Sequence, residues 1–315
     1  MIKMSKEKKK QEFVDNAKNR LKEHRKNEIK FMIYRLRRSP LSLIGLIITT
    51  FFIVIALAAP LICPPNLPDP YRMPKTFSRT PLPPSMEHIF GTSGPVAYAD
   101  VFYGVIWGTR LSLLLAFTIT AISLSIGLII GTISGYYGGI LDEILMRVVD
   151  IAYSLPWILM MLVLLVAIGS RGFWTMVSAY SIVAWTTYAR IARGETLKVK
   201  NELFVEAAKS IGVRDIYIIY RHIIPNIIYS VIIVASLRIG WIVLNTSALG
   251  FLGLGFNIGT AEWGIIMSEG RNWVLQGSWW ITVFPGIFIF FFVLGWQLMG
   301  DAFRDMLDPK VRRNV

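Results

Sequence analysis

Long apolar runs alternate with short polar breaks along this chain, and the pattern predicts an all-α protein that crosses a membrane six times. The runs cover 41–62, about 111–134, roughly 151–168, about 173–191, 227–254 and about 281–299. Each is near the length needed to cross a hydrocarbon core. Pro156 interrupts the third near its start, because proline lacks the N–H and crowds the preceding turn. Pro285 and Gly286 fall within the last. Of the breaks, 63–85 is rich in proline and polar residues and reads as an extended outer loop. Residues 88–113 read as an amphipathic lead-in to the second span. The stretch 257–278 carries short amphipathic pieces suited to capping an outer mouth, and 201–226 is polar and amphipathic. The expected organisation is a basic arm over 1–40, the first span, an outer loop with lead-in over 63–108, a five-helix core over 109–300 and a tail over 301–315.

Composition agrees. Over 315 residues, 54% are hydrophobic and 17% charged, and the mean hydropathy is +0.53. That is too apolar for an ordinary soluble domain. The net charge of +13 would suit nucleic acid if it lined a groove, but the basic residues sit on flanks and loops. Most Lys and Arg lie before Pro40, after Met299 and in 190–226. The outer loops hold Arg72, Lys75, Arg79, Arg171 and Arg271, with Arg110 at a boundary. The positive-inside rule then places both termini in the cytoplasm, a parity that six spans satisfy. Residues 28–38 are expected to lie on anionic lipid, with Phe31, Met32 and Tyr34 as anchors. The triplet 56–58 resembles a signal cleavage site, but the basic leader is too long for one, and retention is expected. Trp273, Trp279 and Trp280 fit an interfacial aromatic belt.

Ser123, Gly127, Gly131 and Gly135 recur every four residues and share one helix face. Lipid provides no hydrophobic drive between helices, so such a face packs by close backbone approach. In the fifth span Arg238 lies near mid-membrane, at a cost of roughly 2.5–3.5 kcal/mol on insertion scales, so it must face a partner, water or a solute path. Asn245, seven residues on, shares its face, with Trp241 between. Arg238 is equally consistent with a solute path and with pairing to another subunit.

Glu206, Ala207 and Ala208 lie on a run of helix formers that begins near Asn201 and stops at Gly212, a residue suited to the left-handed conformation past a helix end. Asp215 is expected to cap a second short helix with Ile216, Ile219, Tyr220 and Ile223 along one face, and Pro225 to forbid its simple continuation. The product is a bent knuckle. With Gly212 and Pro225 at this spacing, 206–225 resembles the EAA loop of permease subunits of ABC importers. His222 and Ile224 stand where the general pattern has Ile and Leu, and a His there is typical of the oligopeptide, dipeptide and nickel subgroup. The likeness extends over about 87–312. Phe90, Gly91, Thr92, Asp100, Gly108, Arg110 and Ser112 keep the subgroup's pattern, whereas Ser93, Tyr98 and Ala99 depart from it. Residues 249–255, LGFLGLG, and Trp263, Gly264, Ser268, Glu269, Gly270 and Arg271 match again.

The resemblance implies a type I ABC importer permease fold and the second permease of a heterodimer. Its implied partners are a homologous permease, two ATPase subunits and an extracellular solute-binding protein. Glu206, Ala207, Ala208, Gly212, His222, Ile224 and Pro225 would dock into a groove on an ATPase. Arg238, Trp241, Asn245 and Thr246 are candidates for the translocation path. Relatives carry peptides, nickel or oligosaccharides such as cellobiose. Thr246 stands where many have Glu, which together with the altered 93–99 loop leans toward a neutral sugar without displacing peptides. The sequence holds no Gly-Lys-Ser or Gly-Lys-Thr phosphate loop, so ATP and Mg belong to the partner subunits. His24, His88 and His222 are too scattered for a metal site, and the single cysteine, Cys63, excludes an internal disulfide. A secondary transporter would need ionisable residues in the spans for ion coupling, and a membrane scaffold would need no solute path.

Overall fold

The computed structural model describes residues 39–65, 67–75, 78, 80–94 and 99–307. The basic arm with its lipid anchors, Arg79, Tyr98 and the end of the tail lie outside the described residues.

Helix α1 (Pro40–Ile62) starts at Ser39, whose hydroxyl accepts from the Ser42 N–H, with Pro40 at the first helical position. Its buried stripe, Ser42, Gly45, Thr49, Phe52 and Ala56, lies against the carboxyl-terminal helix α10 (Trp280–Leu307). Gly45 is required there, since a Cβ would meet Leu298 Cβ at 2.7 Å.

The second apolar run is longer than its hydropathy suggested. Lead-in and span form one helix, α2 (Val101–Tyr137), capped by the Asp100 carboxylate on Tyr103 N at 2.9 Å and ended at Gly138. No proline interrupts it, and 37 residues span about 55 Å, more than a hydrocarbon core. Its first turns join Met73, Ala99, Ala261, Ile266, Trp280 and Ile281 in a separate outer core. Arg110 is half-buried, its guanidinium 5.6 Å from the Trp107 ring centre.

Helices α3 (Gly139–Ser154) and α4 (Trp157–Ile168) are bent by 96° where Pro156 forces Leu155 into an extended conformation. Helix α5 (Phe173–Val199) packs along α2 in the most extensive helix contact of the molecule. The short helices α6 (Leu203–Ser210) and α7 (Asp215–Ile218) form the knuckle, and a π-helical turn, Ile219–Ile223, leads into α8 (Ile224–Phe251). Helix α9 (Trp263–Gly270) and a 3₁₀ turn (Val274–Gln276) precede α10.

Among the described residues, four helical stretches are long and apolar enough to cross a membrane, or five if α3 and α4 form one span. Helix α5 has the length, but its serines, threonines and arginines make it more polar. The central core gathers Phe52, Ile119, Met176, Val243, Trp263 and Phe292, with Phe52 meeting Trp263 and Phe292 edge to face.

Candidate coupling and translocation site

The knuckle is built as a fixed base with an apolar outer face. Helix α6 ends in a Schellman arrangement: Val213 N–H donates to Ala208 O at 3.1 Å and Gly212 N–H to Lys209 O at 2.9 Å. Gly212 has φ +78, the left-handed value that such an end needs, with open space around it. Val205, Ala208, Ile218, Ile219 and Ile223 turn inward onto Leu128, Tyr136 and Tyr188. Leu203 (82%), Ile211 (81%) and Tyr220 (74%) turn outward. Glu206, Ala207 and Pro225 are exposed, Ala208 is buried, and His222 and Ile224 are half-buried, with the His222 ring 6.2 Å from those of Phe204 and Tyr217.

Pro225 prevents simple continuation: the chain passes it only through a π turn, in which Ile224 N–H reaches Ile219 O, five residues back, and the ladder widens beneath the proline ring. Two expectations need correction. Ile216 and Tyr220 face out, and Ile218 joins Ile219 and Ile223 inside, so the expected face is not the buried one. Asp215 is the first helical residue and Arg214 the cap. The Asp215 carboxylate accepts the Tyr136 hydroxyl at 2.5 Å, tying the knuckle to the end of α2.

Further ties surround that end. Lys200 Nζ donates to Gly135 O and Tyr136 O at 3.1 and 3.3 Å, a cation on a helix carboxyl terminus. Lys209 lies 4.8 Å from the Tyr136 ring centre. Arg193 is bidentate to Asp142 at 2.6 and 2.7 Å, and Ser134 donates to the same carboxylate. None of these partners followed from the helical pattern, because each joins different elements.

The small-residue face of α2 packs as expected. Ser123 is fully buried, and Cβ atoms at Gly127, Gly131 and Gly135 would meet Trp185 O, Ala189 O and Arg193 O of α5.

The path candidates divide. Arg238 and Asn245 line a cavity of about 430 Å³ between α8, α5 and the α3–α4 bend, with Tyr153, Trp157, Tyr180 and Thr187. Asn245 Nδ2 donates to the Tyr180 hydroxyl at 3.2 Å. Trp241 is exposed and does not line this cavity. Thr246 is buried and donates to Val243 O, so it faces the core and not the path. A larger cavity of about 620 Å³ between α8 and α10 is lined mainly by apolar side chains, such as Leu244, Phe251, Ile289 and Phe290.

In the 257–278 segment, Glu262 was missed. It is buried, caps α9 through Ile265 N–H at 2.9 Å, and accepts from Ser247 Oγ at 3.1 Å. Burial pushes its carboxyl above the ordinary value of 4.5, against the opposing hydrogen bonds. Glu269 is raised for the same reason. Trp263 donates to Val105 O at 3.0 Å from full burial, and a Cβ at Gly264 would strike the Ser247 backbone. Trp280 is also buried, donating to Thr92 O at 3.1 Å, so the belt expectation fails for it, while Trp279 remains exposed.

A helical, multi-pass membrane protein with an arginine-lined cavity among its long helices and a bent, amphipathic knuckle between two of them has the build of a transporter permease. The profile described as binding-protein-dependent transport system inner membrane component matches residues 127–313. That of the N-terminal TM domain of oligopeptide transport permease C matches residues 30–84. The dipeptide transport system permease protein DppC of Bacillus subtilis (strain 168) is 34% identical over 279 residues, covering 89% of this chain and 85% of that protein. The probable D,D-dipeptide transport system permease protein DdpC of Escherichia coli (strain K12) is 36% identical over 281 residues, covering 89% and 91%. The glutathione transport system permease protein GsiD of Shigella flexneri serotype 5b (strain 8401) is 35% identical over 279 residues, covering 88% and 89%. In fold, the chain resembles one from the MetNI methionine ABC transporter in inward facing conformations, with a TM-score of 0.54 at 18% identity, covering 66% of this chain and 98% of that one. The chain belongs to the family of binding-protein-dependent transport system inner membrane components, with a type I ABC permease-like fold.

Proposed function

We propose that this chain is the second permease of a heterodimeric ABC importer that moves di- and oligopeptides, delivered by an extracellular solute-binding protein, into the cytoplasm. The dipeptide and glutathione permeases among its relatives support the substrate class. The basic-residue distribution supports six spans, with α3–α4 as the third and α5 as the fourth, and cytoplasmic termini. The knuckle then lies on the ATP-bearing side. ATP and Mg are bound by two partner ATPases, and this chain hydrolyses nothing.

The observation that carries the reading is the knuckle's division into a buried anchoring row and an exposed apolar row. A water-facing surface that displays Leu203, Ile211 and Tyr220 is suited to being covered by a partner. When the ATPases close on ATP, they carry 206–225 with them. The ties from Asp215 to Tyr136, Lys200 to the end of α2 and Arg193 to Asp142 pass that displacement to the spans, which alternate access to the path.

The test is recovery of this chain from native membrane, followed by ATPase assay with peptides and oligosaccharides presented on the binding protein. Two co-purifying ATPases stimulated by peptides are expected. Stimulation by an oligosaccharide alone would overturn the substrate, and absence of ATPases would overturn the importer reading.

A further inference from the structure

Arg238 is the charged residue on the middle of α8. It is exposed into the polar-lined cavity, and no ion pair or hydrogen bond from its guanidinium is found among the described residues. Arg193 and Arg190 are by contrast engaged, Arg193 with Asp142, and Arg190 with Asp150 at 2.8 Å and over the Tyr153 ring at 4.2 Å. A cation so placed in an apolar slab is retained where an anion or water meets it.

Its surroundings suit an anion of one kind. Tyr153 and Thr187 hydrogen-bond each other at 2.7 Å and form one wall, and Trp157 meets Tyr180 edge to face at 5.5 Å on another. Asn245 spends an N–H on the Tyr180 hydroxyl, which leaves its amide oxygen as an acceptor. From Arg238 to Asn245 is two helical turns, about 10.5 Å between Cα atoms. Two extended residues span about 7 Å. A short peptide thus fits between a guanidinium for its carboxylate and an amide oxygen for its ammonium group. Aromatic walls would hold its side chains, and the volume, about 430 Å³, is in the range of small-molecule sites.

We propose that Arg238 is a specificity residue of the translocation path that receives the free C-terminal carboxylate of a short peptide. Asn245 and the Tyr180 hydroxyl receive the peptide's amino end. This rests on the peptide-importer reading above. The guanidinium is a permanent cation with a planar fork matched to a carboxylate, so selection operates inside the membrane as well as at the binding protein.

The intact importer, purified through this chain and placed in proteoliposomes with its binding protein, tests this with labelled dialanine. Peptide uptake, ATP hydrolysis and recovery of the second permease are measured together for wild type, R238Q and R238K. R238Q is expected to lower uptake per ATP by about ten- to a hundredfold, the loss of a charged hydrogen bond, with subunit recovery unchanged. R238K, which keeps the charge, is expected to recover a substantial part. Unchanged uptake in R238Q overturns the proposal, as does loss of the second permease, which would make Arg238 an interface cation. Wild-type complex that holds its ATPases yet moves no peptide would instead overturn the underlying reading.

Discussion

The knuckle at 201–226 and the outer cap at 257–278 are both short helices strung between long spans, yet they treat apolar side chains in opposite ways. The cap turns Trp263, Ile265 and Ile266 wholly inward and seals them with a buried carboxylate. The knuckle leaves Leu203, Ile211 and Tyr220 in the open above a buried row. The cap completes a core, whereas the knuckle is finished only when something covers it. The comparison separates residues that hold the protein together from residues that make it work, and each side can be broken independently.

The largest effect is expected in the cap. Trp263→Ala removes a buried indole and its hydrogen bond to Val105 O, which the Thr109 hydroxyl still reaches, and should cost about 3–5 kcal/mol. Thermal unfolding in detergent measures it, and a loss below about 1 kcal/mol would mean that the cap does not share the central core. A pH effect follows from Glu262. A carboxyl raised by burial keeps its proton in the folded chain at a pH where the unfolded chain has released it. Stability therefore falls as pH rises from about 4.5 through the raised folded value. Glu262→Gln keeps an acceptor for Ile265 N–H and removes the titration, so its melting temperature should exceed that of the wild type increasingly toward neutral pH. Parallel profiles for the two proteins would refute the assignment.

The knuckle should show the smallest stability effects and a functional one. Gly212→Leu meets open space but must adopt φ +78, at about 1–2 kcal/mol. Glu206→Lys and Ile211→Ala, both exposed, should stay within about 0.5 kcal/mol. All three variants should insert normally and yet lower peptide uptake per ATP hydrolysed. Loss of insertion would return the knuckle to a structural role and erase its contrast with the cap.

Much of this contrast was readable from contiguous residues. Gly212 at a helix end and the small-residue face from Ser123 to Gly135 depend on spacing within one helix, and the structure keeps both. Predictions of facing fared worse. Regular helical spacing puts Tyr220 on one face with Ile219 and Ile223, yet it is exposed where they are buried, in a segment that winds as a π turn. Thr246 was assigned to the path beside Asn245, but a single residue turns the helix by about 100°, enough to move a side chain from cavity to core.

The sequence alone determined that the chain is helical and membrane-embedded, and where its knuckle lies. Hydropathy runs, glycine and proline placement, and helix-former content act on neighbouring residues, and a bilayer admits few ways to satisfy a polar backbone. Only the tertiary structure decided which polar groups meet. Tyr136 with Asp215, Arg193 with Asp142, Glu262 with Ser247, and Arg238 in one cavity with Tyr153 and Asn245 are joined across separate elements. Their meeting depends on helix phase, bend and packing depth, which arise when the helices close on one another and not from the order of residues within any one of them.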